Sequence, residues 1–200
     1  ALSFASFDAA AAIDNAASVV LLRTSCDDGA GGTLNNCFTD MSAVTSWITD
    51  TRKPNDASPL AVNIGPGTFG AITLACNSAA NFTGNISFVG AGREQTTIDH
   101  SQIPITISQC TKLSFSGMLI RNGFYGYIQW DGGGTSNWTN VEVQISPGAW
   151  NEGTCGATRG QHYWFGSRIV SGDSATATRG YAAKCDETWF IGSEISMDID

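Results

Sequence analysis

A six-residue motif recurs in the second half of the chain: an aromatic residue, any residue, Gly or Asn, two further residues, then Ile or Val. It occupies positions 115–120, 138–143, 164–169 and 190–195. The Gly or Asn positions 117, 140, 166 and 192 are 23, 26 and 26 residues apart, and an imperfect copy at 88–90 lies 27 residues upstream. A repeat of this length indicates a solenoid, because each repeat buries its apolar face only against its neighbours.

The repeat length also indicates the type of solenoid. A coil of 23 to 27 residues is longer than the roughly 18 residues of a coil built from three hexapeptides. It fits a three-faced, right-handed parallel β-helix. Alternation along each strand places the aromatic residue and the Ile or Val inside, and the Gly or Asn at a bend that needs a left-handed conformation. We therefore predict an all-β chain in which residues 60–200 form β-helix coils.

Residues 1–59 are predicted to form an N-terminal unit that closes the solenoid. It contains a β-strand at 18–24 and an amphipathic helix that Asp40 caps and Lys53-Pro54 ends. The apolar face of this helix consists of Met41, Val44, Trp47 and Ile48. A helix just before a solenoid covers the exposed end of the first coil, which would otherwise leave edge strands and the apolar interior in water.

The composition restricts the partners and the compartment. Charged residues make up 14% of the chain, against about 25% in an ordinary soluble domain. The formal charge is −8 and only three lysines occur, which argues against a nucleic-acid partner. No apolar run reaches membrane length, so no membrane insertion is predicted. A Gly-, Ser-, Thr- and Asn-rich surface is typical of secreted and virion β-proteins, so we predict an extracellular, cell-surface or virion-surface location.

Six cysteines predict disulfides in an oxidising compartment. Cys26 and Cys37 bracket a Gly-rich loop and are the easiest local pair. Two further pairings join neighbouring coils and are preferred: Cys76 with Cys110, and Cys155 with Cys185. A pairing of Cys110 with Cys185 would cross three coils, about 14 Å at ~4.8 Å per strand, beyond the roughly 7 Å that a disulfide spans. No C-x-x-C occurs and the two histidines are isolated, so we predict no metal and no cofactor.

Three Asn-x-Ser/Thr sequons are candidate glycosylation sites, at Asn81, Asn85 and Asn137. In a chain rich in Ser and Thr several such triplets arise by chance. They therefore matter only if the source of the protein attaches glycans.

Several segments resemble the first coils of the pectin-lyase-like superfamily. They are Ile-Gly-Pro-Gly-Thr-Phe at 64–69, Ile-Ser-Phe-Val-Gly-Ala-Gly at 86–92 and Thr-Thr-Ile at 96–98. Asp-Gly-Ala-Gly-Gly-Thr-Leu at 28–34 is similar to the N-terminal segment of many secreted bacterial β-helix proteins. The resemblance implies a right-handed β-helix over residues 24–198. It does not select an activity, because the superfamily holds lyases, hydrolases, esterases, phage tailspikes, adhesins and passive scaffolds.

The catalytic motifs of that superfamily are not found in this sequence. A calcium-binding lyase needs acidic residues stacked in adjacent coils, and no two of the acidic residues near strand ends fall in one column. These residues are Asp131, Glu142, Glu152, Asp173, Asp186 and Glu187. The paired carboxylates of the hydrolases and the esterase signature are also missing. We interpret His162 as a strand-edge residue beside a core Trp164, and predict no catalytic residue.

Two clusters are candidate glycan contacts. Trp130 with Asp131, and Trp150 with Asn151 and Glu152, lie beside Gly-rich excursions and outside the repeating core column. Aromatic side chains on loops, next to carboxylates and amides, suit sugar rings, which present an apolar face and a hydroxyl edge. We predict that these loops contact surface glycans.

The function predicted from the sequence is a non-enzymatic, self-associating structural module of an extracellular or virion-surface fibre, filament or spike. The alternatives are a polysaccharide-degrading β-helix enzyme and an adhesin domain of a longer surface protein. The last residues keep a strand-like alternation without a cap, so either a partner covers them or the chain continues in a longer natural protein. Residues 1–7 of a neighbouring subunit could cover them by strand addition. The candidate assembly residues are Leu2, Phe4, Phe7, Ile195, Met197 and Ile199.

Overall fold

The structure is a computed structural model that describes residues 12–30, 32–77, 81–100, 105–123, 128–131, 134–145, 151–153, 161–171, 181–183 and 187–196. For residues 105–108, 122–123, 128–131, 145, 151–153, 171, 181–183 and 187 the description covers the backbone alone.

The N-terminal part contains two strands and the predicted helix. The strands are β1 (Val19–Leu22) and β2 (Cys37–Phe38), and the helix α1 (Met41–Trp47) continues into a π-helical turn (Ile48–Arg52). The Asp40 carboxylate accepts hydrogen bonds from the Ser42 side chain and from the N–H groups of Ala43 and Ser42, and these bonds lower the pKa of Asp40 below its ordinary value. Lys53 ends the helical segment in the left-handed conformation, with φ of 45°. Both predicted helix ends are therefore confirmed.

The remaining strands wind into a parallel solenoid. In chain order they are β3 (Leu60–Ile64), β4 (Gly67–Phe69), β5 (Thr73–Ala75), β6 (Asn85–Gly90), β7 (Thr96–Asp99), β8 (Ile105–Ser108), β9 (Lys112–Gly123), β10 (Ile128–Asp131), β11 (Thr135–Ile145), β12 (Asn151–Gly153), β13 (Gln161–Phe165), β14 (Arg168–Ser171), β15 (Tyr181–Ala183), β16 (Glu187–Ile191) and β17 (Glu194–Ser196).

These strands form the three faces that the repeat predicts. The first face contains β3, β6, β13, β16 and the first halves of β9 and β11; the second contains β4, β7, β14, β17 and the second halves of β9 and β11. The third face contains β5, β8 and β10, and β12, which pairs with β15, contacts β10. Every pairing between these strands is parallel, which confirms the predicted all-β parallel β-helix.

The bend between the first and second faces explains why Gly or Asn recurs at the same position of the motif. The four motif positions have left-handed φ angles: 61° at Gly117, 52° at Asn140, 54° at Gly166 and 60° at Gly192. Glycine adopts this conformation without steric cost, and asparagine tolerates it better than most residues. The chain therefore turns its corner at the same place in each of these coils.

The N-terminal end of the solenoid is closed. β1 pairs on one side with β3 and on the other with β2, so that β2 is the edge strand. The helix α1 packs against β2 and β5, with Met41 and Val44 no more than 1% exposed. The Arg52 guanidinium, itself buried, donates to the Ala17 carbonyl at 2.7 Å and to the Ser58 hydroxyl at 2.8 Å. The predicted covering role of this helix is confirmed, and the sheet itself runs across the predicted division at residue 60.

The Gly-rich stretches between motifs contain more strand than the sequence indicates. The sequence predicts irregular excursions at residues 131–136 and 148–160, but β11 begins at Thr135 and β12 (Asn151–Gly153) lies inside the second stretch. Both strands pair in parallel with strands of neighbouring coils. Backbone hydrogen bonding to an adjacent coil overrides the low strand propensity of these residues.

Candidate functional site

A column of stacked aromatic rings runs through the core and ends at one edge of the solenoid. We use "column" for residues at equivalent positions in successive coils. Ring centroids are 5.4 Å apart for Phe88–Phe115, 4.3 Å for Phe115–Trp138, 4.6 Å for Trp138–Trp164 and 6.0 Å for Trp164–Phe190. The first four rings are at most 1% exposed, whereas Phe190 is 36% exposed. Phe190 is therefore the most exposed of the five rings in the column.

The edge that carries Phe190 consists of β16 and β17, which we call the C-terminal edge. Each strand pairs on one side only within the part of the chain that the structure describes, with β13 and β14 respectively. Trp189, Ile191 and Ile195 are 53%, 51% and 44% exposed. An edge with exposed apolar side chains and unpaired backbone groups is a template for a further strand.

A column of serine residues provides hydrogen-bond partners for backbone groups near the bends of the coils that precede this edge. The Ser167 hydroxyl accepts from the Val141 N–H at 3.1 Å and donates to the Trp138 carbonyl at 3.0 Å. One coil later, the Ser193 hydroxyl accepts from the Ser167 N–H at 3.1 Å and donates to the Trp164 carbonyl at 3.0 Å. Each serine thus bonds to two backbone groups of the preceding coil.

Replacing Ser167 with alanine is expected to lower the free energy of unfolding by about 2 kcal/mol, because the Val141 N–H and the Trp138 carbonyl lose their partner in a buried site. Chemical unfolding followed by circular dichroism measures the change. Ser193→Ala is the matched control, since Ser193 makes the same two bonds at the partly exposed edge. Equal losses for the two variants would contradict the role of burial.

A charge column crosses the same edge. Glu142 lies opposite Arg168, which lies opposite Glu194. The Arg168 guanidinium donates to Glu142 at 3.2 Å and to Glu194 at 3.1 Å. The Glu142 side chain is 15% exposed, whereas that of Glu194 is 58% exposed. The sign of the charge therefore alternates from coil to coil up to the edge.

The candidate assembly residues fall into two groups. Ile195 lies in β17 at the C-terminal edge and is 44% exposed. The others lie outside the described residues: Leu2, Phe4, Phe7, Met197 and Ile199.

The candidate glycan contacts lie on strands of the third face, where loops were expected. Trp130 and Asp131 lie in β10, and Asn151 and Glu152 lie in β12, which contacts β10. Trp150 lies outside the described residues. The backbone thus brings the two clusters to neighbouring strands, and the glycan contact stays a prediction.

The sequon residues lie at the surface, and two of them share a cavity. Asn81 is exposed with a left-handed φ of 57°. Asn85 and Asn137 line a cavity of about 260 Å³ on the outside of the first face. The Asn85 amide nitrogen donates to Asp56 at 3.3 Å. A glycan on Asn85 would replace one of the two amide hydrogens and leave the other for the bond to Asp56.

Two predicted disulfides are present. Cys26–Cys37 closes the N-terminal loop with a Cα–Cα distance of 5.7 Å, and Cys76–Cys110 joins neighbouring coils with a Cα–Cα distance of 5.0 Å. Disulfides persist in oxidising surroundings, so these two bonds favour a location outside the cytoplasm. A second cavity, of about 560 Å³, opens beside Cys76 and is lined in part by Lys53 and Gln109.

We expect a third disulfide between Cys155 and Cys185, which lie outside the described residues. In the adjoining strands Asn151 lies opposite Tyr181, a separation of 30 residues that equals the separation of the two cysteines. Peptide mapping without reduction is expected to recover the cross-linked peptide, and Cys155→Ser should release one titratable thiol. Two free thiols in the denatured, unreduced protein would contradict the pairing.

Ser136 and His162 form a buried hydrogen-bonded pair in the core. They lie opposite each other in β11 and β13, and are 0% and 6% exposed. The Trp138 indole N–H donates to the Ser136 oxygen at 2.8 Å, which leaves the hydroxyl proton for His162 Nδ1. Burial lowers the pKa of His162 from 6.5 to about 4. This pair is therefore enclosed and neutral. Trp164 lies in the core as predicted, whereas His162 is buried within β13 and is not a strand-edge residue.

Among the described residues, no three His, Cys, Asp or Glu side chains converge so as to hold a metal ion. None of the helical segments in the described ranges has the length and apolar character needed to cross a bilayer.

Sequence reasoning missed the serine and charge columns. Their signal is the 26-residue spacing that separates Ser167 from Ser193, and Arg168 from both Glu142 and Glu194. Extending the repeat to its polar positions would have found them.

Comparisons with protein families, curated proteins and solved structures find no match to this chain.

Proposed function

We propose that this chain is a structural β-solenoid module of an extracellular or virion-surface assembly, joined to its neighbour through the C-terminal edge. The observation that carries the proposal is the difference between the two ends of the solenoid. The N-terminal end is covered by β2 and α1, whereas the C-terminal edge leaves Phe190 and Ile195 exposed above a continuous core.

The chemistry of this edge favours joining a further coil. Burying Phe190 and Ile195 under another coil would remove apolar surface from water, at roughly 25 cal/mol per Å², and would pair the backbone groups of β16 and β17. The low charge content and the disulfides support an oxidising, exposed setting. Purified protein that lacks its neighbour is then expected to self-associate through this edge.

Sedimentation velocity over a range of protein concentrations tests the proposal. Wild-type protein should form higher species as concentration rises, and Phe190→Lys should remain a folded monomer, because a charge cannot be buried there without a partner. Val89→Lys is the matched control, since Val89 is 39% exposed on the outer surface of β6, away from the edge. Association that is equal in both variants, or absent from the wild type, would refute the proposal.

A further inference from the structure

Among the described residues, the C-terminal edge carries the last members of three columns, and each column indicates which side chains a further coil would need. Phe190 belongs to the aromatic column, Ser193 to the serine column and Glu194 to the charge column. Phe190 lies in β16, Ser193 lies in the bend that follows it and Glu194 begins β17. The edge therefore has a chemistry that can select its partner.

The charge column makes the most specific demand. In the two coils below the edge, Glu142 and Arg168 alternate in sign, and Glu194 has its cation on one side only among the described residues. A cation placed above Glu194 continues the alternation, whereas a carboxylate there would meet a like charge at strand spacing. Like charges directly opposite each other destabilise a strand pair.

The serine and aromatic columns add two further demands. A serine in the next coil would accept from the Ser193 N–H, as the Ser193 hydroxyl accepts from the Ser167 N–H. An aromatic ring above Phe190 would continue a stack in which the centroids of successive rings are at most 6.0 Å apart. Stacked aromatic pairs contribute beyond their buried area.

We propose that the C-terminal edge binds a parallel segment with the pattern aromatic, any residue, Gly or Asn, Ser, Arg or Lys, then Ile or Val. This inference rests on the proposed function of the edge. Residues 164–169 of the chain itself have this pattern, with Arg168 in the cationic position. Residues 190–195 differ there, because they carry Glu194. The edge therefore favours a cation-bearing segment over a parallel copy of itself.

Two labelled synthetic peptides test this selectivity on the intact protein. One has the sequence of residues 161–171, and the other is identical except for Arg168→Glu. Fluorescence anisotropy is expected to show the arginine peptide binding up to about fivefold more tightly, in line with an exposed ion pair of up to about 1 kcal/mol. The preference should shrink in high salt.

A charge swap in the protein supplies the control. Glu194→Lys should reverse the preference, so that the glutamate peptide binds more tightly, and Phe190→Lys should weaken binding of both peptides. Equal binding of the two peptides to wild type and to Glu194→Lys would overturn the inference. The inference would also be overturned if the protein self-associates but binds neither peptide.

The outcomes separate this inference from the proposed function. Edge-dependent self-association without peptide selectivity keeps the proposed function and removes the inference. Selective peptide binding by a protein that stays monomeric removes self-association and keeps the inference. A protein that neither associates nor binds either peptide overturns both.

Discussion

Replacing Trp138 with alanine is expected to lower the free energy of unfolding by about 4 kcal/mol, in the middle of the range for a buried aromatic residue. Trp138 is fully buried between two rings, with centroids 4.3 Å from Phe115 and 4.6 Å from Trp164. Its indole N–H also donates to the Ser136 hydroxyl. The substitution would leave a cavity, interrupt the aromatic column and remove this bond. Guanidinium unfolding followed by circular dichroism measures the loss.

Trp189→Ala is the control for this prediction. Trp189 lies in β16 and is 53% exposed, so most of its ring is already in water. Its removal is expected to cost about 1 kcal/mol or less. A loss at Trp138 no greater than the loss at Trp189 would show that the aromatic column does not stabilise the solenoid.

Acidification from pH 6.5 to pH 4 is expected to remove about 3 kcal/mol of stability through His162 alone. Burial lowers its folded-state pKa to about 4, against 6.5 when it is exposed. Above pH 6.5 both states are neutral and the contribution is fully present. Between these pKa values the unfolded chain binds a proton that the folded chain does not, so stability falls by about 1.4 kcal/mol per pH unit. Below pH 4 the loss is complete.

His162→Asn isolates this contribution. Asparagine keeps a hydrogen-bond acceptor for the Ser136 hydroxyl but does not titrate. Unfolding free energies at pH 7, 6, 5 and 4 should fall more steeply for the wild type than for the variant, because carboxylates titrate equally in both. Parallel curves for the two proteins would show that His162 is protonated in the folded state as easily as in the unfolded state.

The sequence predicts the first face well because its constraints are local and repeated. A bend that requires a left-handed residue selects Gly or Asn at 117, 140, 166 and 192, and all four adopt that conformation. The buried aromatic residue two positions earlier follows from strand alternation. These signals recur at nearly constant spacing, so they also give the coil register.

The sequence does not predict certain other elements, because contacts with a different coil stabilise them. The strand β12 has three residues, too few for a periodic pattern, and exists through its pairing with β15. The strand β2 follows β1 in the chain but pairs with β1 on the side opposite to β3. No local signal in the sequence indicates this pairing. Ser136 and His162 are polar at inward positions, and their burial is explained by hydrogen bonds between coils, including the bond that joins the two side chains.

The candidate site was predicted in part. Strand alternation at 195–199 makes Ile195 an assembly candidate; it is exposed in β17, and its role in assembly stays a prediction. Phe190 was assigned to the inward column, and its exposure follows from the lack of a described coil above it. The sequence places a residue in a column, but which member of the column is uncovered depends on three-dimensional pairing.

The charge column also bears on how the chain avoids misfolding. Suppose that β16 and β17 paired directly with β11 during folding and looped out the coil between them. Phe190 would still stack on Trp138, and Ser193 could still bond to the Val141 N–H, because successive coils are alike at these positions. Glu194, however, would lie on Glu142. The alternating charges therefore destabilise a structure in which one coil is skipped. The aromatic and serine columns alone would not distinguish that structure from the native one.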